Sequence, residues 1–201
     1  MNIGLLGGTF DPIHIGHLVV AEEARIRLGF KEVLFVPAGQ PWLKLNRNIT
    51  PAAHRVEMVR RAIADNTYFK LCTIEVERPG PSYTVDTLTM LQKQLGNEAS
   101  FFFILGRDTL AELPSWKEPK KLIQLCQLVV APRLGAKDLK NLETEMPGLL
   151  DKVIQLDMPV IGISASGIRQ RIAQGLSIRY WVPAEVEKYI TEHKIYPTTA
   201  R

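Results

Sequence analysis

Two histidines three residues apart, His14 and His17, stand in the run Gly7-Gly8-Thr9-Phe10-Asp11-Pro12-Ile13-His14-Ile15-Gly16-His17. That spacing lets both imidazoles face one side of a turn that leads into a helix. An imidazole donates a hydrogen bond to a phosphate oxygen, more strongly when protonated, which suits a site where negative charge builds during a reaction. Gly16 lets a ligand approach the backbone at the helix start, where unpaired N–H groups and the positive end of the dipole favour an anion. A cap or a packed surface group is the alternative use of either histidine alone. Zinc is a third, although no cysteine or acidic partner at ligand spacing accompanies the pair.

A second cluster, Ile163-Ser164-Ala165-Ser166-Gly167-Ile168-Arg169, puts hydroxyls at another helix start with an arginine one turn inside. Ser166 reads either as the N-cap or as part of a second anion site, where it holds a terminal phosphate that Arg169 neutralises. Two such sites on one sheet imply a polyphosphate. The polar, proline-bearing stretch from Ala38 to Asn48 is too long for a simple turn and carries Lys44 after apolar neighbours, which makes it a candidate substrate loop. Gly106-Arg107-Asp108 follows directly on the apolar run Phe101 to Leu105, at the strand end where open α/β sheets bind ligands. Neither G-x-G-x-x-G nor G-x-x-x-x-G-K-[ST] occurs, which disfavours a dinucleotide dehydrogenase and a P-loop enzyme.

The elements that position these groups alternate. A strand from Ile3 to Leu6 precedes the glycines, and a helix from Gly16 to Leu28 stops at Gly29. Strands are expected at Glu32 to Val36, Phe69 to Val76, Phe101 to Leu105, Leu128 to Ala131 and Val153 to Leu156. Helices are expected from Thr50 (cap) and Pro51 (first position) to about Asp65, and from Thr84 to Leu95 with Gly96 as stop. Further helices run through Lys121 and Leu125, from Ser166 to Gln174, and from Pro183 to Glu192, with an ill-defined connector at 134 to 150. Alternating strand and helix specify an α/β fold with a mostly parallel sheet. The 201 residues, 46% hydrophobic, suffice for one domain with one substantial core. A net charge of +4 from scattered basic residues fits an anionic small substrate, with no basic tail or zinc-finger spacing for nucleic acid and no membrane-spanning run. Cys72 and Cys126 read as buried free thiols of a reducing cytoplasm. The oligomeric state is left open.

Taken together, GGTFDPIHIGH and ISASGIR resemble the H-x-G-H nucleotidyltransferase superfamily, which joins a nucleoside monophosphate to a phosphorylated acceptor. Three further stretches, HRVEM (His54 to Met58), GPSYTVDTL (Gly80 to Leu88) and Gly106-x-Asp108 with Leu113 to Lys117, resemble the bacterial nicotinate mononucleotide adenylyltransferases over almost the whole length. The resemblance implies a Rossmann-like doubly wound sheet with a small C-terminal helical part, the substrates ATP and nicotinate mononucleotide, and magnesium with the ATP. It implies that Gly8, Thr9 and Phe10 line the nucleotides and that His14, His17, Ser166 and Arg169 contact the phosphates with Lys44, these histidines, Lys44 and Arg169 forming the catalytic set. Gly16, Gly106, Asp108 and Ser164 complete the ATP side, Asp108 also being placed to bond the acceptor's ribose or fix its loop. On the acceptor side, Tyr83 and Thr84 offer N–H groups to the pyridine carboxylate, Trp116 stacks on the ring and Arg133 lies near the phosphate. Leu43 stands where the family usually has histidine, Ala165 where it usually has threonine, and Arg107 is unusual at its position. The amide mononucleotide and phosphopantetheine are alternative acceptors of the same fold; a non-catalytic nucleotide-binding module and a nucleic-acid binder are the readings without an enzyme.

Overall fold

The computed structural model describes residues 1–42, 48–96, 98–132 and 142–198. Six strands, β1 (Asn2–Gly8), β2 (Glu32–Pro37), β3 (Phe69–Leu71), β4 (Ser100–Gly106), β5 (Cys126–Ala131) and β6 (Val153–Gln155), form one sheet in the order β3-β2-β1-β4-β5-β6. Every pairing is parallel. The order reverses between β1 and β4, so their C-terminal ends flank the switch point at which such sheets bind ligands.

Period-two alternation supplies the two sides of the core. Phe101, Phe103 and Leu105 of β4 join Leu128 and Val130 of β5 on one face, while Ile104 and Val129 lie on the other. The first face is covered by α4 (Thr84–Leu95), α5 (Arg107–Glu112) and α6 (Pro119–Leu125), whose Leu88, Leu110 and Leu122 are fully buried. The second is covered by α1 (Ile15–Leu28), α2 (Ala52–Ala62), α8 (Ala165–Ala173) and α9 (Ala184–Glu192), through Ala21, Met58, Ile168 and Val186. Apolar cover on both faces is why the central strands read as unbroken hydrophobic runs.

Several boundaries depart from the sequence reading. The stretch expected as one strand from Phe69 to Val76 splits into the three-residue β3 and a short helix, α3 (Ile74–Glu77). β3 is an edge strand with three partners on β2, and beyond Leu71 the chain turns in, where Glu75 and Glu77 favour a helix start over an extended run. Ser164, not Ser166, is the N-cap of α8. Pro51 and Pro183 occupy N-cap positions one residue before the helices they were expected to begin, and α2 stops at Ala62 with Ile63 as its C-cap. The helix expected up to Leu125 is three pieces, because Pro114 and Pro119 cannot donate to preceding turns; a 3-10 turn at Leu113–Ser115 separates α5 from α6. α1 and β5 begin slightly earlier than expected, β6 ends one residue earlier, and the connector contains α7 (Leu142–Glu145) and a 3-10 turn at Leu150–Lys152. Cys126 is buried and Cys72 half-buried, both as free thiols. Burial pushes the Cys126 thiol up to about 12, so it stays protonated and unreactive. Among the described residues no helix is long and apolar enough to cross a membrane.

Candidate active site

The loop after β1 folds over a buried polar scaffold. Phe10 adopts φ 50°, a left-handed conformation that an aromatic residue rarely takes, and the Asp11-Pro12 peptide is cis. Phe10 is nonetheless buried, its ring edge-on to His17 at 5.0 Å and tilted against Phe35. Asp11 holds the loop from below: Oδ1 accepts from the Tyr196 hydroxyl at 2.7 Å and Oδ2 from the Thr50 N–H at 3.3 Å. Arg55 is 1% exposed and donates to three main-chain carbonyls, Thr50 and Thr9 at 2.8 Å and Gly39 at 3.3 Å. One guanidinium thus joins the β1 loop, the end of β2 and the start of α2. Burial lowers its affinity for the proton, and Asp11 and Tyr196 pull it back.

His14 is the N-cap residue of α1, and its backbone N–H donates to Nδ1 of His17 at 3.2 Å. An Nδ1 that accepts places the proton of a neutral His17 on Nε2. The rings stack at 3.7 Å and 25°. Desolvation lowers His14 to about 4, so at neutral pH it is an uncharged imidazole. Its Nδ1 is buried with no hydrogen-bond partner among the described residues. A side chain at Gly16 would meet that nitrogen at 3.1 Å, and one at Gly8 would meet the Phe10 ring at 3.1 Å. Gly16 therefore lets the His14 ring lie close on α1, and Gly8 lets the Phe10 ring fold back over the end of β1.

The second cluster arrives from α8. Ser164 Oγ accepts from the Gly167 N–H at 3.2 Å and lies 3.3 Å from Ser166 Oγ. With Ser164 as the cap, Ser166 sits in the first turn with its hydroxyl at the helix mouth. Arg169 on the same helix reaches the β1 loop, so the two motifs are contiguous.

Gly106 is the N-cap of α5 and Asp108 lies in that helix's first turn. Among the described residues nothing stands within 4 Å of where a Gly106 side chain would be at the end of β4. Across that strand end, Tyr83 is the N-cap of α4 and Thr84 its first residue, so the first N–H groups of α4 have no carbonyl one turn back. Tyr83 lies 5.8 Å from the Trp42 ring, and Lys117 Nζ sits 4.8 Å over its face while pairing with Asp86 at 3.0 Å. Trp116 is half-buried, edge-on to Phe103 at 6.1 Å, with Nε1 buried and unpartnered among the described residues. The indole thus packs on the core while remaining partly exposed. Arg107 Nε is likewise buried without a partner among the described residues. Lys44 and Arg133 lie outside the described residues. A groove between α1 and β3, lined by Leu18, Glu22, Asn66 and Tyr68, contains none of these groups.

Sequence reasoning did not assign Asp11, Arg55 or Tyr196 a role. Arg55 left a signal: it precedes buried Met58 and Val59 by three and four residues, an arginine inside an apolar helical stripe.

Imidazoles and a guanidinium gathered at the switch point of a doubly wound parallel sheet define a protein that handles nucleotide phosphates. The chain belongs to the cytidylyltransferase-like family, whose model matches residues 5–171. It is 45% identical over 198 residues to a protein of Dehalococcoides mccartyi strain CBDB1 named "Probable nicotinate-nucleotide adenylyltransferase", a match covering 98% of this chain and 97% of that one. A protein of the same name from Thermomicrobium roseum is 47% identical, covering 98% and 92%. The structure superimposes with a TM-score of 0.78 on Plasmodium falciparum nicotinic acid mononucleotide adenylyltransferase complexed with NaAD, at 23% identity and 97% coverage of both chains. That likeness shows the fold.

Proposed function

We propose that the chain transfers AMP from ATP to nicotinate mononucleotide, yielding nicotinate adenine dinucleotide and pyrophosphate, a step in making NAD. The observation that carries this reading is the contact between Arg169 of α8 and the loop that holds His14 and His17. An arginine and two imidazoles on one loop suit a triphosphate, and Trp116, edge-on to Phe103 of β4, with Tyr83 under Lys117, suits a flat, anionic acceptor ring. The near-full-length relatives carry the same activity in their names.

The acceptor's phosphate oxygen is already ionised at neutral pH and needs no base. It attacks the α phosphorus in line, the new P–O bond forming as the bond to the bridging oxygen breaks, and pyrophosphate leaves with the electron pair. His17 through Nε2–H, Arg169 and Lys44 meet the charge moving onto the leaving group. His14, neutral at pH 7, serves as a hydrogen-bonding group and not as a proton reservoir. Magnesium enters with ATP as part of the substrate, held by phosphates and water more than by protein. Among the described residues no three His, Cys, Asp or Glu side chains are grouped to cage a metal by themselves.

Pyrophosphate release with ATP and magnesium, measured with nicotinate mononucleotide, its amide and phosphopantetheine at equal concentration, tests the reading. The acid should exceed both others by about tenfold or more in kcat/KM. Equal rates with the amide, or a preference for phosphopantetheine, overturn it.

A further inference from the structure

The segment from Arg78 to Tyr83 is poorly provided with backbone hydrogen bonds. Pro79 and Pro81 have no N–H to give, and Gly80 between them sits at φ 86°. Yet it leads directly into Tyr83 and Thr84, so something else must hold it. Beneath it lies Glu75 of α3, a carboxylate 8% exposed and far from the triphosphate groups in sequence. Its Oε1 accepts from Thr87 Oγ1 at 2.7 Å, and the Ser82 hydroxyl lies near enough to work with Thr87 against the upward push of burial on the carboxyl. Ser82 Oγ itself accepts from the Gly39 N–H at 2.9 Å and the Gln40 N–H at 3.2 Å. A hydroxyl oxygen that accepts twice has a single hydrogen left to give, and Glu75 is the neighbouring acceptor. The Ser82 N–H completes the tie by donating to the Gln40 carbonyl at 2.9 Å. Thr87 Oγ1 also lies 3.2 Å from the Tyr83 carbonyl.

We propose that Glu75 is a positioning residue for the acceptor: through Ser82 and Thr87 it locks the turn at Ser82–Thr84 to the end of β2, fixing the first N–H groups of α4 that receive the ring carboxylate. This rests on the acceptor assigned above. Glu75 touches no substrate. The same tie holds Gly39 and Gln40, so one carboxylate sets the acceptor turn against the backbone that follows β2.

The test compares Glu75→Ala with Glu75→Gln in the full chain, with KM determined for each substrate separately. Glutamine can accept from Ser82 through Oε1 and donate to Thr87 Oγ1 through Nε2, whose hydroxyl then turns to the Tyr83 carbonyl. Alanine should raise KM for nicotinate mononucleotide about tenfold, with KM for ATP moving less than about twofold, and glutamine should return it to within about threefold. Thr87→Val and Thr87→Ser provide an independent pair should the alanine variant not fold, valine raising the same KM and serine leaving it. An unchanged acceptor KM in the alanine or valine variant, or a parallel rise in both KM values, overturns the role of Glu75. If wild type instead uses a different acceptor, the function proposed above fails, and the same split measured with that acceptor still decides whether Glu75 positions it.

Discussion

Arg169 Nη1 lies 2.5 Å from the main-chain carbonyl oxygen of Asp11, 158 residues away in the chain. One nitrogen of the guanidinium is thereby anchored to the loop that bears His14 and His17, while the planar group retains other N–H donors for an anion. The cation is in place before any ligand arrives, so little reorganisation is needed during the reaction. Arg169→Ala should lower kcat by about a hundredfold or more, and Arg169→Lys should recover only part of it, because an ammonium cannot anchor and bind in the same plane. Steady-state pyrophosphate release reads both; a lysine variant at wild-type rate would show that charge alone suffices.

His17 has two separable jobs. Its Nδ1 accepts from the His14 N–H, and the proposed mechanism assigns its Nε2–H to the leaving group. His17→Ala should cost about 1 kcal/mol of stability for the cap and about a hundredfold in kcat for the donor. KM for nicotinate mononucleotide should stay within about twofold. Turnover equal to wild type removes His17 from the mechanism, whatever the melting temperature does.

Arg55 should matter to the fold before it matters to the chemistry. Replacing it by Met leaves the carbonyls of Thr9, Thr50 and Gly39 without their donor and Asp11 without its nearby cation. The expected loss is about 3 kcal/mol, in the range for removing one partner from a buried charged network. Urea unfolding measures it. A variant as stable as wild type would mean that these carbonyls find other donors.

The contrast between Arg55 and His17 explains how far the sequence could be read. The sheet was legible because β4 and β5 are covered on both faces and therefore uniformly apolar, and Gly29 and Gly96 mark helix ends by conformations that suit glycine. The histidine motif was legible because its residue types are chemically unusual at that spacing. Roles for Arg55, Asp11 and Tyr196 were not, since each depends on partners brought close only by tertiary structure: Tyr196 meets Asp11 across 185 residues. Ser164 and Ser166 are equally good caps by residue type, and only the Gly167 N–H chooses between them. The split of the stretch from Phe69 to Val76 was hidden because a short apolar run does not distinguish a strand from a buried helical turn.

Two glycines at strand ends should behave in opposite ways. A Cβ on Gly39 would fall 2.1 Å from the main-chain oxygen of Glu75, an obstacle that cannot rotate aside, so Gly39→Ala should destabilise the chain by about 2 kcal/mol or more. Gly106 has φ −81° and no described residue within 4 Å of where its side chain would be, so Gly106→Ala should change stability by less than about 0.5 kcal/mol. If nucleotide passes against the end of β4, the added methyl should raise KM for ATP about fivefold or more in a protein of unchanged melting temperature. An unchanged KM would move the nucleotide away from Gly106.

The pH dependence of stability isolates His14. In the folded, ligand-free chain its imidazole takes up a proton near pH 4, against an ordinary value of 6.5, because burial penalises the charged form. Between those values the unfolded chain binds more protons than the folded one, so the free energy of unfolding rises with pH. The contribution is therefore complete above pH 6.5 and is lost as pH falls towards 4, by about 3 kcal/mol in all. His14→Asn removes the titrating group, and wild-type stability minus variant stability, measured by urea unfolding from pH 7.5 to 4.5, should hold level above pH 6.5 and fall below it. A constant difference would mean that the folded chain takes up the proton as readily as the unfolded one. The same shift bears on catalysis: a neutral His14 gives no break in kcat/KM near pH 6.5, so a wild-type break there that His14→Asn abolishes would show the ring working as imidazolium and overturn its assignment as an uncharged group.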